Sequence, residues 1–396
     1  MAQPAKRTVA YLAVSQTFGQ IMTAMILSTT ALVSNMLATD KALATLPHAL
    51  SWVALALVAI PVSQMMRRIG RRTGFMAGAV IGIAGALIAA GGIYLGSFWM
   101  YAAGTIVIGA FNATSQLYRF AAAEAADASW RGKAIAWVNL GGIVAAFVGP
   151  ELAKLTKDLF APMTFAGTFV VMAVLPILMI AVLAVTELPP PATRASRHGG
   201  RPLLEIARQP KFIVAILGGM IGWGVMSLMM TATPLSMIGC GLKFNDAAFV
   251  VQWHILGMWV PSFFSGALIG RYGGARIMLI GAVLMIGCVM AALAGFEVWN
   301  FWLANVLVGI GWNFLFVSAT VMLTETYAPD ERAKVQGFND FCVFGTVAFT
   351  TFTSGWLQNV YGWATVNYSV APFLALVIVA ILWLFARTRT APAAAK

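Results

Sequence analysis

Runs of about twenty apolar residues recur from one end of this chain to the other, and each is long enough to cross a hydrocarbon core of roughly 30 Å as a helix. Twelve such runs can be drawn, the first over 9–38 and the last over 365–386. Inside hydrocarbon the backbone has no water to bond with, so only helices and closed barrels span a membrane. The runs lack the period-2 alternation of barrel strands, which leaves helices. Composition agrees, since 60% of the 396 residues are hydrophobic and only 10% are charged, against about 25% charged in a globular domain. The expectation is an all-α membrane protein with twelve transmembrane helices.

The net charge of +12 is spread over short segments between the apolar runs. That is the pattern of a topology signal, and it excludes a nucleic-acid partner as the reason for the charge. With the N-terminus inside, only Lys41, Lys154, Lys157 and Lys243 of the 25 Lys and Arg fall in outward loops. Twenty fall inward, among them Arg67, Arg68, Arg71 and Arg72, and Arg119 alone stays within a span. Both termini are therefore expected in the cytoplasm of a bacterial inner-membrane protein. Lys6 and Arg7 precede an apolar stretch from Tyr11 to Leu37, too long for a signal-peptide core, so the first span is read as uncleaved. Cys240, Cys288 and Cys342 are far apart and show no CxxC spacing, which indicates neither disulfide nor zinc. Walker, HExxH and nucleophile-elbow motifs are absent, so no enzyme and no ATP-driven pump is expected from this chain alone.

The longest polar stretch lies between Glu187 and Pro210, with Pro189, Pro190 and Pro191 followed by Arg194, Arg197, His198 and Arg201. It divides the spans six and six, giving an N-terminal bundle over 1–186, a cytoplasmic linker over 187–211 and a C-terminal bundle over 212–396. Self-comparison finds the halves related. The segment from Ser63 to Gly70 aligns with that from Gly266 to Gly273, and Asn112, Glu124, Arg131, Lys133 and Asn139 align with Asn313, Glu325, Arg332, Lys334 and Asp340. Two pseudo-symmetric six-helix bundles of parallel topology follow.

The turn after the second helix of each half resembles the G-x-L-x-D-R-x-G-R-R loop of the major facilitators, and Gly149-Pro150 resembles another feature of that family. The loop's usual Asp is Arg67 in one half and Gly270 in the other. The resemblance covers the whole chain and implies the MFS fold, with halves that rock about a central cavity and expose it to each side in turn. The paired spacing of Glu124 with Arg131 and of Glu325 with Arg332 suits ion pairs that lock the inward side, and it suits solvated loop charges equally.

Ionisable groups inside spans carry functional hypotheses by default, and Arg119 and His254 stand out. His254 and Met258 are one turn apart in span eight, as are Met226 and Met230 in span seven. Counted from the outward ends of these antiparallel spans, Met230 and His254 lie about 10–12 Å deep and Met226 and Met258 about 16–18 Å deep. Four neutral, soft or borderline donors at two matching depths form a set that selects Cu(I) over hard cations. The same residues also read as packing, since Met fills irregular gaps, and His254 also reads as a satisfied core histidine or a proton-coupling group. Gln20, Met22, Met25, Thr29 and Thr30 line one face of span one, and Met237 sits near the outer end of span seven; packing is the plainer reading of both. Arg119 reads as a snorkelling or gating residue. Gly218, Gly219, Gly222 and Gly224 suit close helix contact.

The pairs Met226-x-x-x-Met230 and His254-x-x-x-Met258 resemble the paired motifs of the CcoA-like copper importers (the CalT-type family), which supply copper for assembly of cbb-type cytochrome oxidases. That resemblance implies import of copper as Cu(I) by alternating access, with Met226, Met230, His254 and Met258 as ligands. It also implies a cytoplasmic copper chaperone or copper ATPase downstream. Copper enters as substrate, with no resident cofactor, and a monomer in the lipid bilayer is expected. Riboflavin transporters are near relatives of that family, so uptake of riboflavin or a similar organic solute is the alternative. An efflux pump for amphipathic drugs is a further one. The charge asymmetry makes the topology testable: a reporter fused after Pro190 should read as cytoplasmic and one after Lys243 as periplasmic, and the reverse pattern would overturn the orientation.

Overall fold

The computed structural model describes residues 3–127, 130–188, 200–328 and 331–390. Pro189 to Gly199, including Arg194, Arg197 and His198, lie outside the described residues, as do the side chains of Arg67 and Arg131. The first half comprises α1 (Gln3–Leu37), α2 (Leu46–Ile69), α3 (Arg71–Tyr94), α4 (Phe98–Ser115), α5 (Tyr118–Ala125), α6 (Arg131–Asn139), α7 (Gly141–Thr156) and α8 (Ala166–Ala184). The second comprises α9 (Leu203–Ala207), α10 (Pro210–Gly239), α11 (Phe244–Trp259), α12 (Ser262–Tyr272), α13 (Gly274–Leu293), α14 (Val298–Thr324), α15 (Arg332–Tyr361) and α16 (Trp363–Thr390).

These helices make twelve crossings. Spans four, five and eight are each broken once, into α4–α5, α6–α7 and α11–α12. The last break falls at Pro261, whose ring removes a backbone donor and disfavours a continuous helix. Ten segments are long and apolar enough to cross a membrane by length and composition. The other two are α4–α5 and α15, and α15 carries Gln336, Asn339, Asp340, Thr346, Thr350 and Thr351 along its length. An even number of crossings puts both chain ends on one face, here the terminal face, with the distal face opposite. Leu57, Val80, Phe349 and Val379 are more than half exposed in mid-helix, as expected where lipid rather than water covers the surface.

The repeat seen in sequence is present in the backbone. Gly70 ends α2 at φ +88° and Gly273 ends α12 at φ +87°, an extended positive-φ conformation that is essentially reserved for glycine. Each turns the chain straight into the next helix. Within halves, small residues let helices approach closely, which drives association where no hydrophobic effect separates helix from lipid. A Cβ on Gly85 of α3 would stand 2.8 Å from the Ile108 nitrogen of α4, and one on Gly222 of α10 would stand 3.1 Å from the Leu315 Cβ of α14.

The halves meet where α2 packs on α15 and α7 packs on α11. At the distal ends they are tied together. Thr45 Oγ1 donates to the Phe352 carbonyl at 2.9 Å and accepts from the Gly355 N–H at 3.2 Å. Asn359 Nδ2 donates to the Lys41 carbonyl at 2.7 Å, and Phe165 meets Phe244 edge to face at 5.0 Å.

On the terminal face the described ion pairs join separate elements, and the expected pairing of Glu124 with Arg131 falls on a side chain outside the described residues. Glu124 accepts from Arg71 Nε at 2.7 Å and Glu325 from Lys211 Nζ at 2.7 Å. Arg332 instead donates to Gln336 at 3.4 Å, because the two share a face one turn apart on α15 while the first turn of α10 brings Lys211 to Glu325. A third pair is better enclosed. Arg201 donates to Glu331 from its backbone N at 2.7 Å and from Nε at 2.9 Å to one carboxylate oxygen, and from Nη2 at 2.8 Å to the other. Ala328 N–H adds a further bond at 2.9 Å, and the Glu331 side chain is 2% exposed. The segment entering α9 is thereby clasped to the turn between α14 and α15.

The Arg201 guanidinium, then the Ala328 N–H, hold the Glu331 carboxyl down from 4.5 to about 2. A lowered folded-state value stabilises the fold above the ordinary value, and that contribution disappears as pH falls through the folded value. Glu331→Gln should therefore melt below the parent at pH 7, with the gap closing between pH 4.5 and about 2. Thermal unfolding in detergent across that window checks it; equal melting at pH 7 would show the clasp to be idle.

Candidate functional site

Helical spacing on several elements aims a set of side chains at one space between the halves. His48 and Trp52 are one turn apart on α2, and Asp340 and Phe344 one turn apart on α15. On α10, Trp223, Met226 and Met230 follow one another at intervals of three and four, the repeat of a single helix face. All seven line a cavity of about 390 Å³, within the roughly 300–1,000 Å³ usual for small-molecule sites.

Six Trp and Phe side chains form part of the wall. Trp223 meets Trp312 edge to face at 4.9 Å and 88°, and Trp312 stacks on Phe316 at 5.3 Å and 18°. Trp52 lies parallel to Phe344 within 15° at 6.0 Å, and Trp223 stands edge-on to Trp52 at 5.8 Å and 70°. Trp259 completes the wall beside the break in span eight. Asn313 holds that break, donating from Nδ2 to the Met258 carbonyl at 2.8 Å and to Ser262 Oγ at 2.7 Å.

Polar side chains are interspersed among the rings, with His48, Gln116 and Asn139 of the first half and Ser227, Thr231 and Ser262 of the second among them. Gln16, Gln20 and Arg119 come from the first half, and Asn313 and Asp340 from the second. The indole N–H groups of Trp52, Trp223 and Trp312, together with Arg119 Nε and Asn313 Oδ1, are buried with no hydrogen-bond partner in the protein. Buried polar atoms usually have partners, and these five belong to residues that line the cavity. Indole N–H and guanidinium only donate, so the groups waiting are mostly donors.

Three of the four residues expected as copper ligands share this wall: Met226, Met230 and Met258. The fourth does not. His254 is fully buried, and its Nδ1 lies 3.0 Å from the Asn305 carbonyl of α14. Depth counting had set spans seven and eight face to face, whereas α14 packs against both. Asn305 Nδ2 donates to Thr233 Oγ1 on α10 at 3.1 Å. A Cβ on Gly257 of α11 would stand 3.0 Å from the Val306 carbonyl, and this close backbone contact turns the His254 ring onto α14.

Other expectations divide similarly. Gln20 lines the cavity, while Met22, Met25, Thr29 and Thr30 are fully buried in helix packing, as is Met237. Arg119 faces the cavity rather than snorkelling to headgroups. His48 and Asp340 were missed, although both are ionisable groups within spans and the rule that singled out Arg119 and His254 applies to them equally.

A model of the Major Facilitator Superfamily matches residues 12–252 and 241–396 of the chain. The chain is 42% identical over 383 residues, 96% of each protein, to the riboflavin transporter RfnT of Brucella anthropi. It is 28% identical over 354 residues to the MFS-type transporter YdeG of Bacillus subtilis, covering 85% of this chain and 82% of that one. Among solved structures, the nucleoside transporter NupG superposes with a TM-score of 0.77 at 15% identity, covering 96% of this chain and 100% of that one. A bacterial homolog of the human lysosomal transporter Spinster gives 0.72 at 17% identity, covering 98% of each chain.

The contrasting surroundings of His254 and Met226 predict contrasting costs. His254→Ala opens a hole between α11 and α14 and should cost about 2–4 kcal/mol of stability. Met226→Leu keeps volume and should cost less than about 1.5 kcal/mol. Melting temperatures in detergent measure both, and a parent-like melt for His254→Ala would overturn the packing role.

Proposed function

This chain belongs to the Major Facilitator Superfamily and is a secondary transporter rather than an enzyme; from that premise we propose that it carries riboflavin into the cell. The observation that carries the reading is the cavity itself, about 390 Å³ walled by Trp52, Trp223, Trp312, Phe316 and Phe344. Riboflavin is a flat heteroaromatic ring system bearing a chain of hydroxyls. Rings on the wall supply stacking surface, and the scattered Gln, Asn, Arg and Asp side chains supply partners for carbonyls and hydroxyls. The identity of 42% to a riboflavin transporter over nearly the whole length supports the same substrate.

The proposal includes placement. Twenty inward against four outward basic residues support a bacterial inner membrane with the terminal face toward the cytoplasm, and the segment 187–211 serves as the cytoplasmic connection between the bundles 1–186 and 212–396. Alternating access then requires the distal ties at Thr45 and Asn359 to part as the halves rock.

One observation favours a second reading, copper import: Met226, Met230 and Met258 share the cavity wall. Against it, His254 is turned to α14, and a space of this size ringed by indoles is oversized for a bare ion held by three or four converging donors. A chaperone or copper ATPase as downstream partner belongs to that second reading alone.

Uptake measurements separate the two. In cells unable to make riboflavin, the protein should restore growth at low external riboflavin and raise uptake of labelled riboflavin, without raising cell copper. Copper accumulation without riboflavin uptake would replace the main reading with the second.

A further inference from the structure

Resting on the riboflavin reading of the cavity, the geometry points to Trp52 and Phe344 as the two faces of a slot for the ligand's ring, with Arg119 and Asp340 reading the ring's polar edge. Among the described residues, Trp52 and Phe344 are the one near-parallel ring pair that bridges the halves, 15° apart in plane at 6.0 Å. The other cross-half ring contacts, Trp52 with Trp223 and Phe165 with Phe244, are edge-on at 70° and 74°. Trp223 also stands edge-on to Phe344, at 63° and 6.2 Å, and so closes the back of the slot.

The slot has the mechanics of a jaw. Trp52 is seven residues from Thr45 on α2, and Phe344 is eight residues from Phe352 on α15. Both rings thus lie about 10–12 Å in from the distal tie between those helices. Admitting a third ring means widening the pair by about one ring thickness, roughly 3.5 Å. Because one face belongs to each half, a ring in the slot contacts both halves at once.

The edge chemistry selects the ring. Trp52 Nε1, Trp223 Nε1 and Arg119 Nε are buried donors without a partner in the protein. Asp340 lies one turn from Phe344 on the same face of α15; its Oδ1 accepts from Asn339 Nδ2 at 3.1 Å, and the carboxylate keeps further lone pairs for a ligand. A ring edge that alternates acceptor, donor and acceptor satisfies both kinds, as the imide edge of an isoalloxazine does with its two carbonyls and N–H. The hydroxyl chain is not gripped by the rings. The ligand class is therefore a flat heteroaromatic with an imide-type edge, with or without a polyol.

Quenching of ligand fluorescence on titration with the purified full-length protein tests this, using riboflavin and lumiflavin, the isoalloxazine with a methyl group in place of the polyol. Both should bind the parent. Trp52→Ala and Phe344→Ala should each weaken both ligands by about tenfold or more, the loss expected for one stacking face. Trp52→Phe should retain most of the affinity, and Phe349→Ala, on the lipid side of the same helix, should bind like the parent. Asp340→Asn should weaken riboflavin but leave binding of an N3-methylated flavin at its parent value. Elution profile and melting temperature confirm that each variant is folded. Parent-like binding by both alanine variants would overturn the slot while leaving riboflavin as substrate. Lumiflavin binding that is lost in those variants, with no riboflavin binding by the parent, would keep the slot and overturn the substrate. A parent that binds neither ligand would overturn both.

Discussion

Every feature of this molecule follows from the requirement that backbone N–H and C=O groups be paired where there is no water. Helices meet it internally, so the chain crosses as helices. The same requirement extends to side chains, since a polar atom facing lipid has no partner. Polar groups in mid-span are therefore turned inward, some into packing within a half, such as Thr29, Thr30 and His254, and others into the space between the two halves. The cavity is in that sense a consequence of the membrane. Its character, rings interspersed with polar side chains, comes from which residues occupy the inward faces of helices such as α2, α10, α11, α14 and α15.

The contrast between His254 and His48 shows how finely that sorting works. Both are almost fully buried histidines on spans of similar apolarity. His48 opens on the cavity beside Trp52, with the rings 6.2 Å apart. His254 is committed to the Asn305 carbonyl, and Asn305 is itself committed to Thr233. That chain of contacts joins α10, α11 and α14, and it withdraws from the cavity one of the four residues on which the copper reading rested. The three methionines left on the wall lie among tryptophans, where a thioether is a good neighbour for an aromatic edge as well as a possible donor to a metal.

Two kinds of joint hold the structure, and they suit different tasks. Within the halves, glycines bring backbones into direct contact, an arrangement that resists sliding. Between the halves, the joints are hydrogen bonds from Thr45 and Asn359 and ring contacts such as Trp52 with Phe344. Hydrogen bonds and ring stacks of this sort are worth about 1 kcal/mol each, small enough to be remade on the other side of a rocking motion. The clasp of Arg201 on Glu331 lies outside that interface and stays within the second half.

The sequence by itself determined the number of crossings, the helical class, the repeat and the division into halves. These depend on run length, on hydropathy and on offsets along the chain, all of which are local. The glycines at 70 and 273 even disclosed an equivalent turn in each half before any coordinates. What only the tertiary structure decided was azimuth: which face of each helix looks at the cavity, at a neighbouring helix or at lipid. Azimuth depends on which helices touch, and the insertion of α14 against both α10 and α11 is a long-range fact with no trace in either segment. Spans seven and eight looked like partners because they are adjacent in the chain and matched in depth. Helix–helix contact in a membrane is instead set by where small side chains let backbones meet, and here that was Gly257 against Val306 rather than the two ligand pairs against each other.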